Sequence, residues 1–394
     1  MEKQGKRSNR LVLVPGSFRG HLNPMLQLGT ILYSQGFSII RPLLREYTSF
    51  NFASQCQCKA PFQECLARLT EKQNSDEEKI SCIIYDELVY FSEAVATEMK
   101  LPSIILRIGG ITAFMSRDAI VPQAEGNNFL QVSNSTSNYR SWIKRGSARI
   151  LSPQVKGSTF FEIRVITQVV KELRNTRKSS AIIYNTIDFL EQSSLARTLQ
   201  QFHLPLFSIG PLHKFAPALS SILFDEDISC MRWLDEQTND NTIIYVSLGS
   251  ITQIYENELA EMACGLANSN QPFLWVVRPG SVRGSEWIES LPEGFEEAVG
   301  QRGCIVKWAP QKQVLAHAKV GGFWSHCGWN STMESISEGV PIICRPNSGD
   351  QRVNGRYISN VRRVGLEMEN ELNRREVERA VRRLMVDKEG LEIG

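Results

Sequence analysis

The sequence predicts an α/β protein made of two doubly wound, Rossmann-like parallel-sheet units, and three observations carry that expectation. Short runs rich in Val, Ile and Leu alternate with segments of helical period, the pattern of repeated βαβ units. Those runs are apolar at successive residues, as strands covered by helices on both faces must be. Regular patterning lapses near the middle of the 394 residues, over the Pro- and Ser-containing stretch from Leu212 to Phe224, which reads as a linker. The expected organisation is a first domain over 1–214, a linker over 215–225 and a second domain over 226–394.

Each element follows from local chemistry. Leu11 to Val14 is the first strand, and Asn23 with Pro24 reads as an N-cap and first helical position, opening a helix through Tyr33 that stops near Gly36. Further strands are expected at 37–40, 82–85, 103–106 and 181–184, with a helix around Phe62 to Leu69. The polar, patternless text of 127–147 is expected to be a mobile loop. In the second half, 242–248 is a strand, followed by Leu259, Met262, Ala263 and Leu266 at the i, i+3, i+4, i+7 spacing of a helix. Strands at 273–277, 304–307, 320–324 and 341–344 come next, then a helix carrying Val377, Ala380, Val381 and Leu384 on one face.

Composition excludes several function classes. With 42% hydrophobic and 22% charged residues the chain is an ordinary folded one, neither disordered nor fibrous. Lys and Arg total 44 against 42 Asp and Glu, a net charge of +2, so it lacks the basic excess of a nucleic-acid binder. The nine cysteines include no CxxC pair and read as free thiols of a reducing compartment. The basic first ten residues meet Pro15 and Gly16 too early for a signal sequence, and no run of eighteen apolar residues follows. The expected location is the cytoplasm, without stable membrane insertion.

In open parallel sheets, ligands sit beyond the carboxyl ends of the strands. His21 follows the first strand across Gly16 to Gly20, and Asp86 directly follows the strand 82–85, so both belong at one sheet edge. A carboxylate there would accept the imidazole N–H, fix its tautomer and raise its basicity, the arrangement of a general base. Taken singly, each is equally readable as a loop His near a helix start and an Asp ending a strand. No GxGxxG fingerprint follows the first strand, which argues against a nicotinamide-dependent dehydrogenase.

The most informative text is WAPQKQVLAHAKVGGFWSHCGWNSTMESISEGVPIICRPNSGDQ, from Trp308 to Gln351. A strand runs into Ser325, His326, Cys327 and Gly328, after which a helix continues from Thr332 to Ser337. Backbone N–H groups at such a helix start, with the dipole behind them, bind phosphate, and His326 adds a donor for an anionic leaving group. Two structural readings stand beside this one. Ser331 and Glu334 fit a capping box, and Trp308, Trp324 and Trp329 fit core aromatics.

This stretch resembles the signature of the plant secondary-product glycosyltransferases that use UDP-sugars. GHLNPMLQLG from Gly20, YDELVYFSEA from Tyr85, YVSLGS from Tyr245 and FLWVVRPG from Phe273 are similar to members of the same family. The resemblance implies the GT-B fold, two Rossmann-like domains facing across a cleft, and inverting transfer of glucose from UDP-glucose to a hydroxyl of a small hydrophobic plant metabolite. It implies that Trp308 stacks on uracil beside Ala309 and Gln311, and that Glu334 accepts the ribose hydroxyls. His326, Gly328, Trp329, Asn330, Ser331 and Ser250 would surround the diphosphate, while Asp350 and Gln351 would hold the sugar. His21 would be the base and Asp86 its orienting partner. Neither metal nor cofactor is implied by the resemblance.

The text also departs from the family. After Phe52 the chain passes almost at once to the helix near Phe62, where relatives place another strand and a long loop. Ile108 stands where many relatives carry a Thr that reaches the sugar, and the chain ends soon after the helix near Met385. The expectation is a truncated or alternatively spliced member. The alternative to an active glucosyltransferase is a catalytically impaired UDP-sugar-binding protein with an incomplete acceptor domain.

Overall fold

The structure, a computed structural model, describes residues 9–41, 55–71, 79–116, 178–201, 204–216, 226–368 and 372–387. The chain divides into two compact units, residues 1–219 and 220–394. The loop expected at 127–147 and most of the expected linker lie outside the described residues.

Among the described residues the first unit holds six parallel strands: β1 Arg10–Val14, β2 Ser38–Ile40, β3 Ile80–Asp86, β4 Ser103–Arg107, β5 Ala181–Tyr184 and β6 Leu206–Ser208, in the order β2-β1-β3-β4-β5-β6. Strand alternation sorts their side chains into two cores. Val12, Val14, Ile83 and Tyr85 point to one face, where they meet Phe62 and Leu66 of helix α2 (Gln55–Glu71) and Val95 and Ala96 of helix α3 (Phe91–Glu98). Leu11, Leu13, Cys82 and Ile84 point to the other, against Met25 and Leu28 of helix α1 (Arg19–Ser34). Apolar residues at every position of β1 after Arg10 are therefore what a sheet covered on both sides requires.

The second unit repeats the plan. Strands β7 Ile243–Ser247, β9 Phe273–Val276, β11 Gly303–Val306, β12 Val320–Ser325, β13 Ile342–Cys344 and β14 Gly365–Glu367 form a parallel sheet in the order β11-β9-β7-β12-β13-β14. The short strands β8 Ile254–Tyr255 and β10 Val282–Arg283 pair outside it. On one face Ile244, Val246, Trp275 and Trp324 pack against Leu259, Met262 and Leu266 of the Glu256–Ser269 helix and against Val377 and Val381 of the Arg374–Arg382 helix. On the other face, Tyr245, Leu274, Val276 and Phe323 meet Leu234, Val314 and Leu315.

Several local expectations are corrected. Helix α1 begins at Arg19, not at Asn23, and Pro24 lies inside it. A proline this close to the N-terminus removes only the hydrogen bond to the carbonyl four residues back, and buried Met25 and Leu28 hold the turn in place. Strands β6, β8, β10 and β14, each of two or three residues, were not expected. The eight cysteines whose side chains are described are all free thiols.

Candidate active site

The first cluster lies at the carboxyl edge of the first sheet. Val14 and Tyr85 are in register on neighbouring strands, so the residues that follow each strand emerge side by side. His21 is in the first turn of α1, and Asp86 ends β3. Although 65 positions apart, they meet: His21 Nδ1 is 2.9 Å from both carboxylate oxygens of Asp86. Asp86 is fully buried and also accepts the backbone N–H of Leu88, while the His21 side chain keeps 19% of its surface exposed. With Nδ1–H donated to the carboxylate, Nε2 becomes the basic nitrogen of the ring. Ile108, by contrast, is buried in the apolar cluster beneath α1.

The second cluster is at the carboxyl edge of the second sheet. Ser247 and Ser325 are in register on β7 and β12, which brings the loop carrying Ser250 beside His326. Backbone geometry makes the approach close. Gly249 has φ +79°, and a Cβ built on it would lie 2.5 Å from the His326 ring; one built on Gly328 would lie 2.5 Å from His326 Nε2. Only glycine on both sides leaves room for the imidazole. Burial pushes the His326 ring down to about 4, with Asp350 opposing the shift and Arg278 adding to it. At neutral pH the ligand-free ring is therefore uncharged: it can offer an N–H, but carries no charge to set against a leaving group.

The helix following His326 spans Trp329–Ser337 with Gly328 at its N-cap and no side-chain cap. Ser331 is therefore inside the helix, and the capping-box reading is overturned. Glu334 Oε2 instead accepts Gln311 Nε2 at 2.6 Å, and the same Gln311 nitrogen lies 3.0 Å from Ser331 Oγ. Burial raises the pKa of Glu334, with the hydrogen bond from Gln311 working against it. Gln311 opens a short helix after β11 and is also within reach of Tyr245 Oη. It thus links Ser331 and Glu334 through one amide nitrogen.

The tryptophans separate by burial. Trp324 is completely buried and Trp329 nearly so, whereas Trp308 is half-buried. Ala309 is buried beside it. Asn330 is half-buried in the first helical turn, where N–H groups have no intrahelical acceptor. Asp350 accepts from Asn354 Nδ2 at 3.1 Å. The side-chain carbonyl oxygen of Gln351 accepts the backbone N–H groups of Asn347 and Ser348, at 2.9 and 3.0 Å. Sequence reasoning missed Arg278, whose guanidinium holds the Ser250 loop; its position directly beyond a strand in FLWVVRPG was the available signal.

Known proteins share this chain's sequence and fold. The family described as UDP-glucoronosyl and UDP-glucosyl transferase matches residues 216–391. UDP-glycosyltransferase 76E1 of Arabidopsis thaliana is 43% identical over 423 aligned positions, covering 100% of this chain and 92% of the relative. That alignment is 29 positions longer than the 394 residues here, so the relative carries internal residues without a counterpart. Flavonol 3-O-glucosyltransferase UGT76E12 of the same plant is 44% identical, covering 100% of this chain and 91% of the relative. Phytolacca americana UGT2, solved with UDP-2fluoro-glucose and pterostilbene, superposes with a TM-score of 0.75 at 23% identity, covering 97% of this chain and 91% of its own. Os79 from O. sativa, solved with UDP, gives 0.74 at 23% identity, covering 95% and 91%. With two doubly wound units of matching fold and full-length identity above 40%, the chain belongs to the plant UDP-glycosyltransferases, enzymes that pass a glycosyl group from a UDP-sugar to small metabolites.

Proposed function

We propose that the chain transfers glucose from UDP-glucose to a hydroxyl of a small plant metabolite, of the phenolic or flavonol kind, with inversion at the anomeric carbon. The observation that carries this reading is the buried Asp86 carboxylate bonded at 2.9 Å to Nδ1 of a partly exposed His21. Nε2 of His21 takes the proton of the acceptor hydroxyl as its oxygen forms the new bond to the anomeric carbon. The bond from that carbon to the diphosphate oxygen breaks on the opposite face, and UDP leaves. Asp86 balances the imidazolium that forms.

The donor falls to the second unit in this proposal. Trp308 stacks on uracil with Ala309 beside it, Glu334 takes the ribose hydroxyls, and Asp350 and Gln351 take those of the sugar. Ser250, His326, Asn330, Ser331 and the helix N-terminus hold the diphosphate, with Gly328 and Trp329 shaping the turn. The step is proposed as metal-independent, the leaving charge being met by the helix dipole and N–H donors. The glucose preference is assigned to Gln351, whose carbonyl oxygen is tied to the Asn347 backbone and whose amide N–H₂ would donate to a sugar hydroxyl. The acceptor class rests on the flavonol 3-O-glucosyltransferase among the relatives.

The test is to mix the purified protein with UDP-glucose, UDP-galactose or UDP-glucuronic acid and a panel of flavonols, simpler phenols and terpenoid alcohols. UDP release, product mass and the anomeric proton coupling are then followed. A β-glucoside formed fastest from UDP-glucose is expected. UDP binding without transfer to any acceptor would favour the impaired reading, which the 29 unmatched alignment positions support.

A further inference from the structure

Arg278 lies just beyond β9, half-buried, and reaches across to the loop that follows β7. Its Nε donates to the carbonyl of Gly249 at 2.7 Å and its Nη2 to the carbonyl of Thr252 at 2.6 Å. Those two carbonyls bracket Ser250 and Ile251, so one rigid guanidinium fixes both ends of the turn that presents Ser250. Gly249, held from one side by Arg278, presses its Cα against the His326 ring on the other, with no space for even a methyl group between them. A shift of the Gly249 carbonyl is therefore a shift of the imidazole.

Electrostatics give the arrangement a direction. No carboxylate offsets Arg278 among the described residues, and desolvation alone disfavours its charged form. A half-buried cation bonded only to carbonyls is costly unless an anion is to come. The adjoining His326 is neutral at pH 7, so the positive charge that faces it from the end of β9 is that of the guanidinium. We propose that Arg278 is a positioning residue for the diphosphate of the donor, locking the Gly249–Thr252 turn so that Ser250 and His326 meet the phosphates while its own charge offsets theirs. The inference rests on the donor site proposed above and adds to it a residue outside the Trp308–Gln351 signature.

The experiment titrates uridine, UMP and UDP calorimetrically into wild-type protein, Arg278→Met and Arg278→Lys. Wild-type protein that fails to bind UDP would refute the donor-site reading itself, before any variant is made. Given wild-type binding, Arg278→Met is expected to weaken UDP by tenfold or more and UMP by less, with uridine unchanged within twofold. Arg278→Lys keeps the charge but cannot span both carbonyls with one planar fork, so it should fall nearer to Met than to wild type, and it serves as the second variant should Arg278→Met not fold. A cycle with Ser250→Ala should be non-additive, because both changes act on the same turn. UDP affinity within threefold of wild type in a folded variant, or an equal loss for uridine and UDP, would overturn the proposal.

Discussion

The substitution Asp86→Asn isolates one element of the proposed chemistry. The carboxylate is fully buried and accepts His21 Nδ1 through oxygens 2.9 Å away, together with the N–H of Leu88. Asparagine keeps the size and a carbonyl acceptor for either donor, so the local fold should survive, with the melting temperature within a few degrees of wild type. What disappears is the negative charge. A full imidazolium facing a carboxylate at that distance is stabilised by about 6 kcal/mol at an effective dielectric of about 20. Proton transfer is incomplete in the transition state and the amide dipole retains part of the attraction, which leaves a loss of about 2–4 kcal/mol, or roughly 30- to 1,000-fold in kcat. The assay is steady-state UDP release with the best acceptor from the panel, separating kcat from KM for the sugar donor. KM for the donor should stay within a few-fold, because the residue belongs to the other unit. In a His21→Ala background, Asp86→Asn should be nearly silent, since the charge then has no imidazolium to balance. A kcat within threefold of wild type, or full additivity with His21→Ala, would refute the reasoning.

Other expectations follow from the second sheet. Glu334→Ala removes the acceptor of Gln311 but no helix cap, so UDP affinity should fall at least tenfold, about 1.4 kcal/mol, with a melting temperature close to wild type; an unchanged titration with a lowered melting temperature would leave Glu334 only its structural bond to Gln311. Gly249→Ala forces an L-residue to φ +79° and drives its Cβ to 2.5 Å from His326, so it should cost roughly 2–4 kcal/mol of stability by melting and weaken UDP further through the displaced ring. Because burial holds His326 down to about 4 against 6.5 in the ordinary state, the unfolded chain binds a proton that the folded ring refuses. Stability from this group is thus fully present above pH 6.5 and declines as pH falls from 6.5 toward 4; melting curves across that window should slope less steeply for His326→Gln, and identical slopes would sink the assignment.

Much of this protein was legible in one dimension. Unbroken apolar runs such as Leu11 to Val14 dictate strands buried on both faces, and Leu259, Met262, Ala263 and Leu266 dictate a helix, because periodicity is a property of neighbours along the chain. Most candidate site residues could be named because they lie in one continuous stretch, Trp308 to Gln351, that resembles the signature of a known family. The tertiary structure decided which atoms meet. Whether a loop His and a strand-ending Asp are unrelated or a hydrogen-bonded pair depends on β1 and β3 being registered neighbours, and no local pattern records that adjacency. Glu334 follows Ser331 at capping-box spacing, yet the helix begins two residues before Ser331, so that the carboxylate turns instead to Gln311, 23 positions away. Arg278 reads as an ordinary surface cation until the sheet order places β9 beside β7 and delivers its guanidinium to the carbonyls of Gly249 and Thr252. Local sequence sets the period and hence the elements, whereas long-range pairing, driven by burial of faces that carry no address for their partners, sets the distances on which the chemistry depends.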